Sequence, residues 1–158
     1  EITSGVVMEM EQQFSDVKIS QVNKLDLESK YGDVKIGEVD EINADAEFSG
    51  FSIEKLNDKL FMEASYVSKF SIDELNKAFT AVKIYGKFST YTIRLQEGMK
   101  ADLEAEFSFA NMTVSNSEID VYYKVKDDNR SEYKARIGGG DPNRKISVKS
   151  SYGDLRLK

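Results

Sequence analysis

Carboxylates are the first residues in this chain to test for chemistry. Asp16, Asp33 and Asp154 each stand two positions after an aromatic residue, in the triplets FSD, YGD and YGD. Stacked in register, they could line up oxygens for Ca²⁺, which takes six to eight such ligands. The equivalent positions elsewhere are Gly50, Lys87 and Asn111, so the column is broken and these aspartates read as turn residues. Glu28, Asp45 and Glu47 are the candidates for a glycosidase pair, which needs two carboxylates about 5–9 Å apart across a cleft. They alternate outward beside Lys30, as on a charged, solvated strand face. Gly138-Gly139-Gly140-Asp141-Pro142 is glycine-rich, but no Lys-Ser/Thr follows at phosphate-loop spacing, so it reads as a loop. A row of aromatics (Phe14, Tyr31, Phe48, Tyr66, Phe88, Phe109 and Tyr152) could offer a stacking platform for sugars. Tyr31 shares parity with Leu25 and Leu27, which points it into the core unless the bend rotates it.

The composition removes much other chemistry. The 158 residues contain no Cys and no His, which excludes disulfides, thiolate or imidazole metal sites and Ser-His or Cys-His catalytic pairs. The net charge is −6, with 22 basic residues scattered among 28 acidic ones, which disfavours nucleic acid or an anionic membrane surface as partner. No apolar run reaches the ~18 residues of a membrane-spanning helix. The chain starts at Glu1 without Met, so an upstream signal peptide or other segment is expected. No catalytic, cofactor-binding or metal-binding residue is assigned, and the chain is not expected to be an enzyme.

These residues are positioned by a repeat. In Leu25 to Glu41 the apolar positions are Leu25, Leu27, Val34, Ile36 and Val39, around Tyr31-Gly32-Asp33. The next seventeen residues put Ile42, Ala44, Phe51, Ile53 and Leu56 at the same offsets, around Phe48-Ser49-Gly50. The unit aromatic, small or polar, any, apolar, any, apolar occurs seven times, anchored at the seven aromatics named above, with one inserted residue after Tyr66. The anchors are separated by 17, 17, 18, 22, 21 and then 43 residues, the last about two turns. Near Phe88 the register is ambiguous, because Tyr85-Gly86 also fits the aromatic-turn pair.

Period-two alternation marks strands with one buried face. Each unit therefore holds two short strands joined at the aromatic bend, and one unit cannot bury its apolar face alone. Parallel stacking about 4.8 Å apart would align Val17, Val34, Phe51, Phe70 and Met112 in one interior column, and Ile19, Ile36, Ile53, Ile72, Ile93 and Val114 in another. Asn23, Asp40, Asn57 and Asn76 occupy a third corner, where left-handed backbone is expected. The fold expected is all-β, a single-domain parallel β-solenoid (a single-stranded β-helix) of seven or eight coils over residues 1–158. The alternative is an antiparallel meander or sandwich, but its usual Asn-Gly or Asp-Gly hairpin turns are missing. Residues 115–145 fit least, and alternation on both sides of Asp127-Asp128-Asn129 predicts a hairpin or a longer coil with a loop.

The repeated YGDVKI and the closing Lys145–Leu157, KISVKSSYGDLRL, resemble the bacterial adhesin domains of unknown function that are allied to autotransporter adhesin heads. The resemblance spans essentially the whole chain. It implies a right-handed β-solenoid exported to the periplasm or cell surface, and brings no catalytic residues. The expected role is non-catalytic binding of a surface glycan or protein. A periplasmic partner of an envelope-stress or sigma-factor system is the alternative, and a glycan-active enzyme is a third reading. Strand edges at Val6–Met10 and Leu155–Lys158 are where homodimer contacts would form.

Overall fold

Val, Ile and Leu at every second position, flanked by charged residues, produce strands that bury one face only. The computed structural model describes residues 7–158, which form one thirteen-stranded sheet wound into a β-solenoid. Val6, named above as an edge residue, lies outside the described residues. The strands are β1 (Val7–Gln13), β2 (Val17–Lys30), β3 (Val34–Glu47), β4 (Gly50–Ser65), β5 (Lys69–Leu75), β6 (Ala81–Lys87), β7 (Tyr91–Leu95), β8 (Ala101–Ser108), β9 (Met112–Val114), β10 (Ile119–Lys126), β11 (Arg130–Ile137), β12 (Lys145–Ser151) and β13 (Leu155–Leu157). β2, β3 and β4 are long because each supplies both sides of a coil.

Each coil has a side following the aromatic bend and a side leading to the next one. On the post-bend side the layers run β2, β3, β4, β5, β7, β13, β9, all parallel. On the pre-bend side they run β1, β2, β3, β4, β6, β12, β8, also parallel, and then antiparallel β11 and β10. The expected parallel stack is therefore present, and antiparallel pairing is confined to the β10–β11 hairpin and its seat on β8. That hairpin turns at Asp127–Asn129, as the alternation predicts.

The expected coil count and order need correction. Five turns lie between Phe14 and Phe109, not seven or eight coils in sequence. β8 and β9 overshoot by one layer, and the terminal β12 and β13 return to fill the gap. Leu155–Leu157 is hydrogen-bonded on both sides, to β7 and β9, so it is no edge. The described strands with a single partner are β1, β9 and β10 instead. Lys124, Lys134 and Arg136 lie over the rings of Tyr133, Tyr123 and Tyr122, which cloaks the β10 end in cations.

Both interior columns form, with additions. The first gains Tyr91 and Leu155 between Phe70 and Met112, and the second gains Leu157 between Ile93 and Val114. Facing the first column, the third inward position of the pre-bend strands carries Ser29, Ala46, Ala64, Gly86 and Ser150. At Gly86 a side chain is excluded, because a Cβ there would overlap the buried Tyr91 hydroxyl, whereas two layers on the same position holds the buried Phe107. Burial pushes the Tyr91 phenol above its ordinary pKa, against smaller opposing effects of Ser150 and Ser89.

The third corner departs from expectation. None of Asn23, Asp40, Asn57 and Asn76 has positive φ. They link coils instead: the amide nitrogens of Asn23 and Asn57 donate to Asp40 at 3.1 and 2.8 Å, and that of Asn76 donates to Asn57 at 3.3 Å. Such a ladder satisfies side-chain polar groups that repeat every layer.

Candidate binding surface

The left-handed backbone falls on the aromatics. All seven anchors have φ of 50–58°, and they are the only non-glycine residues with positive φ among those described. Phe88 takes this conformation and Tyr85 does not, which settles the register. Lys87 therefore precedes its bend, and Thr90 holds the position equivalent to Asp33. A left-handed residue reverses the alternation of side chains, so the parity that points Tyr31 inward is broken at the bend. The rings stand outside, 45–74% exposed, which corrects the expected core ladder. Phe14 and Phe109, at the two ends, are the most exposed at 74% and 55%, as each has one ring neighbour rather than two.

The rings form one continuous stack. In space the order is Phe14, Tyr31, Phe48, Tyr66, Phe88, Tyr152, Phe109, with centroids 4.8–5.1 Å apart and planes within 3–6° of parallel. Contact between parallel rings at that separation requires an offset, the arrangement their quadrupoles favour. Each bend is tied to the next layer: six aromatic N–H groups donate to the carbonyl before the spatially next bend at 2.8–3.1 Å, and that of Phe109 donates to the Asn129 carbonyl of the hairpin turn at 2.8 Å. The glycine of YGD serves close approach: a Cβ on Gly32 would meet the Ser15 carbonyl oxygen at 2.1 Å, and one on Gly153 the Ser89 carbonyl oxygen at 1.7 Å.

The turn aspartates are occupied by backbone. Asp16 Oδ1 accepts the N–H of Asp33 at 2.9 Å, Asp33 Oδ1 that of Gly50 at 3.0 Å, and Asp154 Oδ1 that of Asn111 at 2.9 Å. A donor that would otherwise be orphaned at each bend is thereby satisfied. No cluster of three or more metal-ligating side chains is present among the described residues.

Stacking sorts the outward charges into two unlike sides. On the pre-bend side Glu11, Glu28, Asp45 and Glu63 form one column. Burial, with Glu47 and Glu28 adding repulsion, raises the Asp45 carboxyl above its ordinary pKa, although Lys30 opposes this. These carboxylates share one sheet face rather than confronting each other across a cleft. Four lysines on that side are paired across layers: Lys24–Glu41 at 3.5 Å, Lys30–Glu47 at 3.6 Å, Lys145–Glu104 at 2.9 Å and Lys149–Glu106 at 3.4 Å. On the post-bend side a groove of about 680 Å³ runs beside the bends, with Lys35, Lys69, Arg94, Arg156 and Lys158 in its lining together with Asp33 and Asp73. Among the described residues none of those five cations makes an ion pair. Sequence reasoning missed this groove, because Arg156 and Lys158 reach it only through the out-of-order last coil.

No helix of the described residues is long and apolar enough to cross a membrane. No family model and no curated protein sequence matches the chain. Among solved structures, a candidate cell-adhesion protein from Clostridium sporogenes aligns with a TM-score of 0.42 at 13% identity, covering 90% of this chain and 56% of that one.

Proposed function

We propose that this chain is a non-catalytic binding solenoid of the adhesin type, exported to the periplasm or cell surface, which lays a long side against a glycan or protein partner. The observation that carries the proposal is the exposed aromatic stack on left-handed backbone. Each such residue costs about 1–2 kcal/mol in backbone conformation, and each ring contact returns about 0.5–1.5 kcal/mol. Burial of part of each ring adds to that return, and the 45–74% that stays exposed leaves one long apolar edge open to a partner. A contiguous exposed apolar stripe is the mark of an interaction surface.

The test replaces Tyr31, Phe48 and Tyr66 together by Asn, which tolerates left-handed backbone. Wild-type and variant protein are compared on glycan arrays, matrix-protein arrays and whole cells, with circular dichroism to verify the fold. Capture by the wild type and loss by a folded variant are expected. Equal capture by both, or none by the wild type, would overturn the assignment.

A further inference from the structure

We infer that the surface binds an extended acidic polysaccharide lying along the solenoid axis, in which a charged sugar alternates with a neutral one. This rests on the binding role proposed above and names its ligand class. Three features of the structure converge on it.

The first is what the stack hides. Interior rings cover one another's faces, so a sugar or a nucleobase cannot stack on them, and only ring edges meet solvent. Ring edges carry the positive part of the aromatic quadrupole, which favours anionic oxygens. Single-stranded nucleic acid is disfavoured because its bases need exposed faces.

The second is a two-layer period. In space the stack alternates Phe and Tyr along its whole length. Tyr31, Tyr66 and Tyr152 therefore project hydroxyls at every second layer, roughly 10 Å apart at twice the strand spacing. Each of these coils also carries a groove cation within four residues of its tyrosine: Lys35, Lys69 and Arg156. The Phe48 coil contributes only Gly50, Phe51 and Ser52 to the groove, and the Phe88 coil adds Arg94. The hydroxyl donors thus recur every second layer, as an alternating polymer requires, while cations stand on Phe coils too, with Arg94 after Phe88 and Lys18 in register with Lys35.

The third is charge segregation. The groove cations are free of ion pairs, while the acidic column lies on the other side of the coil. A polyanion is attracted to one side and repelled from the other, which fixes its path despite the overall charge of −6.

Titration calorimetry of the intact protein with hyaluronan oligosaccharides, polygalacturonate, dextran and poly(U) tests the inference. Hyaluronan, whose uronate alternates with a neutral sugar, is expected to bind best. Binding should weaken as salt shortens the screening length from about 10 Å at 0.1 M to 3 Å at 1 M. Lys69→Ala with Arg156→Ala should weaken it at least about tenfold, as expected for the loss of two charge-assisted contacts. Tyr66→Phe, which keeps the ring stack, should weaken it less. Equal affinity for dextran, poly(U) or polygalacturonate, an unaffected double variant, or no binding to any acidic polymer would each overturn the inference. If the triple variant of Tyr31, Phe48 and Tyr66 loses a captured partner while the wild type ignores every acidic polymer, the binding surface stands and its ligand class falls.

Discussion

The coils between Phe14 and Phe109 and the closing coil at residues 145–158 are built from the same motif but joined to the stack differently. Each early coil through β7 adds to one open face of its predecessor, whereas β8 and β9 stand one layer further out. The closing coil slides between two layers already in place, with β12 between β6 and β8 and β13 between β7 and β9. Its bend is nevertheless indistinguishable: Tyr152 has φ of 58° and rings 4.8 Å away on both sides. The same bend thus forms wherever a neighbouring layer supplies its hydrogen bonds, whether the coil is added at an end or inserted.

The largest expected effect comes from removing residues 145–158. Ile146, Val148, Leu155 and Leu157 are all at most 2% exposed, and four such side chains contribute about 6–12 kcal/mol at 1.5–3 each. That rivals the 5–15 kcal/mol total stability of a typical domain, and the vacated slot leaves strand edges open on both sides. The truncated chain should lack a cooperative denaturation transition, and a synthetic peptide of residues 145–158 should restore it. Removal of residues 1–13, of which Val7–Gln13 form a strand at one end of the stack, should leave a folded protein because Met8 and Met10 are only partly buried. A cooperative melt in both truncations would erase the distinction between inserted and end layers.

Next in size is Ile53→Asp, which puts an unpaired charge at a fully buried site in the middle of the regular turns. A loss above about 4 kcal/mol is expected, enough to prevent soluble expression. Val114→Asp, in the same column but half-buried in the last layer, should remain soluble. Normal melting of the Ile53 variant would mean the column is misassigned.

The bend itself gives a smaller, sharper comparison. Tyr31→Ala and Tyr152→Ala each lose two ring contacts and keep the backbone strain, so both should cost about 1–3 kcal/mol. Glycine at either position removes the strain of about 1–2 kcal/mol and should come out more stable than alanine. Urea denaturation of the four variants decides it, and a large gap between the Tyr31 and Tyr152 pairs would show that layer position influences the bend after all.

The smallest effect concerns Asp45. Its folded pKa is raised, so the folded state binds the proton more tightly and the ionised group costs stability above that pKa. Asp45→Asn should stabilise the protein at neutral pH by no more than about 0.5 kcal/mol, given solvent screening. The advantage should vanish as pH falls through the raised pKa towards the ordinary value of 3.8. A gain that persists in acid would place its origin outside the carboxylate column.

Much of the fold was legible because a stacked repeat converts spacing into position. Alternation at Val34 and Ile36 gave the buried face, and the recurrence of that pair every 17 residues gave the parallel layers. The candidate site was half legible. Its seven aromatics were found by spacing, but parity placed them inside, because parity holds only while the backbone stays extended. The cationic groove was invisible, since Lys35 and Arg156 lie 121 residues apart in the chain.

The sequence by itself determined the strand faces, six of the seven bends and most residues of both interior columns, all of which follow from local alternation and motif. Only the tertiary structure decided that the bend residues are left-handed and turn their rings to solvent. It also decided that Tyr152 sits between Phe88 and Phe109, which completes the Phe–Tyr alternation. The physical reason is that a bend's handedness is selected by hydrogen bonds to the next layer, and a layer's place by which edges remain unpaired. Neither partner is encoded within the repeat itself.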